Sequence, residues 1–243
     1  MKRRFAVALG VLVVAELGLG TNAWAQMERG WVDFNLGANR VAENEYRTAG
    51  TVPTAGGQAA FGTDYIFPQG WAADFGAGYM INERWGVGAT VAGSRNRDVP
   101  MLSASLRNVN DSTAAITPLD RFDVAFHMHA MWDVMPDQDR WRVRAYAGPS
   151  YFHVIQETVD SISFTPLIPS SSLDITSFTF SEDDASGWGG HVGTDIAYFL
   201  GPNLGLGGFL RVSGGSVELV DYSGTFKVKT GRVQYGGGVR LRF

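Results

Sequence analysis

The segment Val233-Gln-Tyr-Gly-Gly-Gly-Val-Arg-Leu-Arg-Phe243 alternates without a break. Val233, Tyr235, Gly237, Val239, Leu241 and Phe243 fall on one face, and Gln234, Gly236, Gly238, Arg240 and Arg242 on the other. Side chains of a strand point alternately to its two faces, so this is one strand with an apolar side and a cationic side. The sequence stops on an aromatic inside that strand, so Phe243 is expected to close a sheet.

The opposite end names a compartment. Met1-Lys-Arg-Arg4 is a positive n-region, Phe5 to Ala15 is an apolar h-region, and Ala23-Trp24-Ala25 offers small residues for cleavage before Gln26. An N-terminal anchor is the weaker reading, because the apolar run is too short to span a bilayer and Glu16 ends it. Residues 1–25 are therefore expected to be a cleaved secretory signal peptide, and 26–243 the mature domain. No later segment approaches a helical span. In lipid only helices and closed barrels satisfy every backbone polar group, so a membrane protein of this sequence must be a barrel.

Composition agrees. The chain has no cysteine, which excludes a disulfide scaffold, and its net charge of −4 gives no reason to expect nucleic acid as a partner. Mean hydropathy is −0.04, as expected when half of each strand meets lipid and half the lumen.

Eight alternating segments are expected, near Gly30–Asn39, Gly70–Ile81, Trp85–Arg95, Arg121–Val134, Trp141–Ile155, Gly187–Leu200, Leu204–Ser216 and Thr230–Phe243. Tight turns at Asn82–Arg84, Met135–Arg140 and Gly201–Asn203 alternate with long segments at 40–69, 96–120, 156–186 and 217–229. Short periplasmic turns with longer external loops, and an even strand count, are the outer-membrane pattern. The fourth segment sets Phe122, Val124, Phe126, Met128, Ala130, Trp132 and Val134 against Asp123, Ala125, His127, His129, Met131 and Asp133. Trp85, Trp132, Trp141, Tyr79, Tyr198 and Phe243 share the apolar face beside the tight turns or terminus, and Trp71 and Trp188 share it at the far ends. Two aromatic belts put lipid outside. A lipocalin-like barrel would reverse the faces.

On these strands, including Trp188-Gly-Gly-His-Val-Gly193 and the closing strand, the sequence resembles the small eight-stranded outer-membrane β-barrel proteins: OmpX-like, OmpW-like and OmpA-type membrane domains. The resemblance covers the whole mature chain and implies that the strand ending in Phe243 is read by the barrel assembly machinery. It also implies adhesion, defence, passage of small hydrophobic solutes, or anchoring as roles, and does not choose among them. Nothing follows the barrel, so the peptidoglycan-binding domain of OmpA-type proteins is expected to be absent.

Asp33, Asp74, Asp123, Asp133 and Asp195 project inward by phase, as do Arg142, Arg144, Arg211, Arg240 and Arg242. Balanced charges in so narrow a lumen must pair, so a salt-bridged plug is expected ahead of an ion path. His127, His129 and His191 also point inward. Their expected partners are Asp123, Asp133 or Asp195; a metal site is disfavoured because His191 lies two strands away. Barrel deacylases imply a Ser two residues after a strand His, but His129, Ile155 and Gly193 follow His127, His153 and His191. The acidic run Glu182-Asp-Asp184 reads as a solvated loop.

Ser161-Ile-Ser-Phe-Thr165 and Ser177-Phe-Thr-Phe180 alternate, so segment 156–186 reads either as a protruding hairpin open to strand addition or as a loose surface loop. Phe61, Tyr65, Ile66 and Phe67 form an apolar patch that folds over the mouth or meets headgroups. Pro149 lacks the donor a ladder needs, and Phe152 and Val154 read as out of phase. A bulge or break with a slip of face is therefore expected near Gly148-Pro149, which the OmpW resemblance would make a lateral exit.

The expectation is an all-β, eight-stranded antiparallel up-and-down transmembrane β-barrel in the outer membrane. It is a monomer among outer-membrane lipid, without catalytic, cofactor or metal residues. Its role is structural, or surface interaction through long external loops. The alternative is a narrow porin-like channel for small hydrophobic solutes or ions; an envelope-lipid-modifying enzyme ranks third.

Overall fold

The computed structural model describes residues 29–41, 45–54, 57–66, 69–98, 101–106, 112–115, 118–138, 140–167, 172–221 and 224–243. The signal peptide expected over 1–25, with its cleavage point, lies outside these residues.

Eight strands form the wall: β1 (Gly30–Val41), β4 (Gly70–Met80), β5 (Trp85–Asp98), β8 (Leu119–Asp133), β9 (Trp141–Leu167), β10 (Ser172–Phe199), β11 (Leu204–Asp221) and β13 (Arg232–Arg242). All pair antiparallel with their neighbours, in the order β10-β9-β8-β5-β4-β1-β13-β11, and β10 pairs with β11 to close the ring. β1 and β13 are paired from Trp31↔Arg242 to Val41↔Arg232. Closure leaves no lipid-exposed edge, which is what the bilayer requires.

The faces fall as the alternation dictates. On β8 every second residue from Leu119 to Asp133 is buried, and Phe122, Phe126, Met128 and Trp132 are exposed. Tyr79, Trp85, Trp132, Trp141 and Phe243 form the belt near the tight turns, with Trp141 against Tyr198 at 5.0 Å between ring centres. Trp71, Trp188 and Tyr151 form the other belt.

Inward glycines make room for the large side chains of so narrow a lumen. A Cβ at Gly88 would lie 2.7 Å from His129 Nε2 and 2.9 Å from the Trp31 ring. At Gly76 it would stand 2.6 Å from an Asp33 carboxylate oxygen. The glycines that dilute the hydropathy are thus the complement of the interior.

Beyond the belts the long segments carry strands of their own, and of the two readings of 156–186 the hairpin is the one found. Segments 40–69 and 96–120 hold β2 (Glu45–Thr54), β3 (Gly57–Ile66), β6 (Met101–Leu106) and β7 (Ser112–Ala115), joined as a separate sheet in the order β2-β3-β6-β7. Segment 156–186 is a hairpin: β9 runs 27 residues, β10 runs 28, and they pair out to Ser172↔Leu167. β12 (Gly224–Lys229) continues the wall above β13, pairing with β11 in unchanged register from Ser216↔Lys229 to Asp221↔Gly224. Tyr65 is buried and its hydroxyl accepts the Val159 amide at 3.3 Å, so part of the apolar patch does fold over the mouth. The side chains of Phe61, Ile66 and Phe67 lie outside those described.

The slip expected at Gly148-Pro149 does not occur. The β8–β9 ladder skips from His127↔Ser150 to Ala130↔Ala147, as Pro149 requires, but its register is the same on both sides. Along β10 the pairing passes through Gly190↔Pro149 unbroken, and the register shifts lie farther out, between Ile175/Ser177 and Thr179/Phe180. Phe152 and Val154 keep phase and point inward, both fully buried. Their sequence imitates a slip because the lumen is apolar at that height.

Candidate functional site: the barrel interior

The interior is filled by three kinds of contact. Ion pairs bind opposite walls together. Arg240 Nε donates to Asp195 Oδ2 at 2.9 Å, and its Nη1 to Asn35 Oδ1 at 2.6 Å. Asn35 passes the chain to Asp74 at 2.6 Å, and Arg211 meets Asp74 at 3.2 Å while donating to Gln234 at 3.3 Å. Nearer the outside, Asp123 takes Arg121 at 3.0 Å and Arg232 at 3.2 Å, and Arg232 also donates to Ser94 of β5. At the turn end Arg142 pairs with Asp133 at 2.8 Å.

This is the plug expected from phase, with three corrections. Arg121 and Arg232 belong to it, beyond the ten charges expected; each shares the inward parity of its strand. Arg242 does not: it donates to the Pro202 carbonyl and lies over the Phe199 ring at 4.2 Å, clasping a turn. Arg144 lies 5.3 Å over the Trp31 ring, and its Nε finds no hydrogen-bond partner among the described residues.

The histidines form the second layer, and their partners differ from expectation. Ser150 Oγ stands 2.8 Å from His127 Nδ1 and 2.9 Å from His191 Nδ1. The two rings are 4.6 Å apart although β9 lies between their strands in the wall order. The barrel is narrow enough for β8 and β10 to meet over β9. His129 instead stacks on Trp31 and Tyr146. None of the three bonds to Asp123, Asp133 or Asp195 among the described contacts. No group of three or more His, Asp or Glu among the described residues has metal-holding geometry. A slip at Pro149 would turn Ser150 outward, which hides it from the sequence reading; unbroken parity with Arg142 and Arg144 is the signal that finds it.

Apolar contacts seal the outer half. Ala92, Ala125 and Phe152 pack together, and above them Val154, Val217, Leu219 and Val228 form a buried cluster with Phe226 and Ala185. Toward the turn end a cavity of about 20 Å³ is bounded by Trp31, Asp33, His129, Arg144, Tyr146 and Arg211, among others. That is room for about one water.

A closed antiparallel ring of eight strands, apolar outside between aromatic belts and ion-paired within, is a membrane-spanning barrel of the outer-membrane type. Comparison with solved structures gives the same fold. OprG from Pseudomonas aeruginosa is 12% identical, with a TM-score of 0.50 over 89% of this chain and 97% of its own. Neisserial surface protein A is 15% identical, with a TM-score of 0.42 over 88% and 97%. Ail of Yersinia pestis is 13% identical, with a TM-score of 0.38 over 88% and 99%. No protein-family model and no curated protein sequence matches the chain.

Proposed function

We propose that this barrel is a closed, non-catalytic outer-membrane protein that displays a β-structured platform outside the bilayer for structural or surface-binding purposes. The observation that carries this reading is where the strands spend their length. A membrane strand needs about 9–11 residues, yet β9 and β10 have 27 and 28. From Tyr151 in the outer belt, β9 continues to Leu167, roughly 50 Å at ~3.3 Å per residue. Meanwhile the lumen is crossed by ion pairs and sealed by Phe152 and the Val154–Leu219 cluster. Ser150, flanked by imidazoles as a nucleophile would be, is buried in that packing and faces no opening for a lipid substrate.

In this reading the chain works as a monomer among outer-membrane lipids, and the strand ending in Phe243 is what the barrel assembly machinery receives. Single-channel recording of the folded protein in a planar bilayer tests it. Silence at moderate voltage is expected. Reproducible conductance steps altered by Asp123→Asn or Arg144→Gln would replace it with a channel.

A further inference from the structure

We propose that His127 and His191, bridged by Ser150, are a proton-binding lock in the plug, and that two protons arriving from the turn end open the lumen. The inference rests on the closed lumen proposed above and adds the condition under which it opens.

Three strands build the pair. His127 of β8, Ser150 of β9 and His191 of β10 all point inward and are buried. Ser150 Oγ reaches the Nδ1 atoms of both rings, at 2.8 and 2.9 Å. One hydroxyl hydrogen serves one ring nitrogen at a time, so at least one ring donates its own Nδ1–H and keeps a bare Nε2. Neither Nε2 has a hydrogen-bond partner among the described residues, although both are buried. The bare nitrogen is a base with no acid beside it, on the side chain whose charge changes in mild acid.

The charged side chains acting on the rings are Arg211 of β11, on His127, His129 and His191 alike, and Arg232 of β13, on His127. Both arginines are already paired, Arg211 with Asp74 of β4 and Arg232 with Asp123 of β8. β5 sets Thr90 opposite His127, β1 stacks Trp31 on His129, and β9 adds Tyr146. A first proton keeps the Nδ1–H···Oγ bond and costs no hydrogen bond. A second leaves both Nδ1 atoms donating, the hydroxyl hydrogen without a ring acceptor, and two like charges with ring centres 4.6 Å apart. Charges so placed must be hydrated or parted, because none of the described contacts gives the rings a carboxylate. His127 also lies edge-on to Phe152, 6.0 Å between ring centres, and Phe152 belongs to the outer seal. The ring that takes up charge is thus the one on which the seal rests.

Protons reach the pair from one side. Toward the turns His129 stands 5.5 Å from His191 between ring centres and borders the one-water cavity with Asp33 and Asp195. The side chains of Asp195 and Arg142 on that side are 13% and 18% exposed. Toward the outside Phe152 and Val154 are fully buried, and Arg121 and Asp123 above them are closed off as well. The pair therefore equilibrates with the compartment at the turn end.

Single-channel recording with the two compartments held at separate pH tests the inference, the orientation being read from the side on which protease trims the outer strands. At neutral pH the barrel should be silent. Acid on the turn side, down to about pH 4, should open it, and uptake of two protons raises the open probability by up to about 100-fold per pH unit. His191→Gln, which keeps a hydrogen-bonding group toward Ser150, should lower that steepness to about tenfold, and His127→Gln with His191→Gln should abolish the response. Opening by acid on the outer side alone would overturn the proposal, as would silence in acid on the turn side. An undiminished response in the double variant would also overturn it and assign the opening to the carboxylates. Gel mobility without heating accompanies each acid recording; loss of the folded band in step with conductance means unfolding and refutes the lock. If the double variant does not fold, the ring-nitrogen resonances of the unaltered protein decide. His127 and His191 should titrate together over the range in which the barrel opens, and rings unchanged across that range would refute the proposal. Conductance already present at neutral pH would sink the closed reading itself, a separate outcome.

Discussion

The Gly30 amide donates to the Phe243 carbonyl at 2.8 Å, and the Phe243 amide donates back to the Gly30 carbonyl at 2.9 Å. This reciprocal pair is the last rung of the β1–β13 ladder, and it joins residues at opposite ends of the wall. Removing Phe243 deletes both bonds and the ring that covers Gly30. At about 0.5–1.5 kcal/mol per hydrogen bond, the deletion should lower the heat-modifiable fraction after refolding without abolishing it. A fraction equal to that of the intact protein would show that closure does not depend on this rung.

The outward face predicts a depth-dependent penalty. Phe126 is exposed on β8 between the belts, so Phe126→Arg should cost about 2–4 kcal/mol in lipid bilayers. Ala125→Arg, one residue away, would instead drive a guanidinium into Phe152 and Ala92 and fail in detergent micelles and bilayers alike. Refolding yields in the two media separate the effects. Equal behaviour of both variants would contradict the face assignment.

Asp123 neutralises two buried guanidiniums, Arg121 and Arg232. Asp123→Asn removes the buried carboxylate that both share and should cost about 3–5 kcal/mol in urea unfolding from vesicles. Asp120→Asn removes an exposed pair and should cost no more than about 1 kcal/mol.

Ser150→Ala takes one partner from each of two buried imidazoles. The expected loss is about 1–3 kcal/mol, with changed ring-nitrogen resonances for both His127 and His191. A change confined to one histidine would mean that the shared hydroxyl does not bridge them.

At Gly88 an added methyl would press on His129 and Trp31 together, whereas at Gly201 it would meet nothing within 4 Å. Gly88→Ala should destabilise by about 1–3 kcal/mol and Gly201→Ala only slightly. Thermal melting in detergent followed by circular dichroism compares them.

Sequence legibility tracks the bilayer. Wherever lipid covers one side of a strand, alternation is enforced residue by residue, as in Phe122 to Asp133, and wall, belts and turns are all legible. Glu45–Thr54 and Met101–Leu106 belong to a separate sheet and not to the wall, so closure of the wall imposes no period on them and those strands read as loops. The false slip at Phe152 and Val154 has the same root. An apolar inward side chain looks like a lipid-facing one, and only the unbroken pairing with β10 tells them apart.

The number of wall strands, their inward and outward faces, and most of the plug charges were determined by the sequence itself, because parity along a strand is a local property of the backbone. The partners of those charges were decided by tertiary structure. Asp123 meets Arg232, and His127 meets His191 through Ser150, across strands that are not adjacent in sequence or in the wall. Their relative heights depend on the tilt and stagger with which the ring closes, and no single strand carries that information.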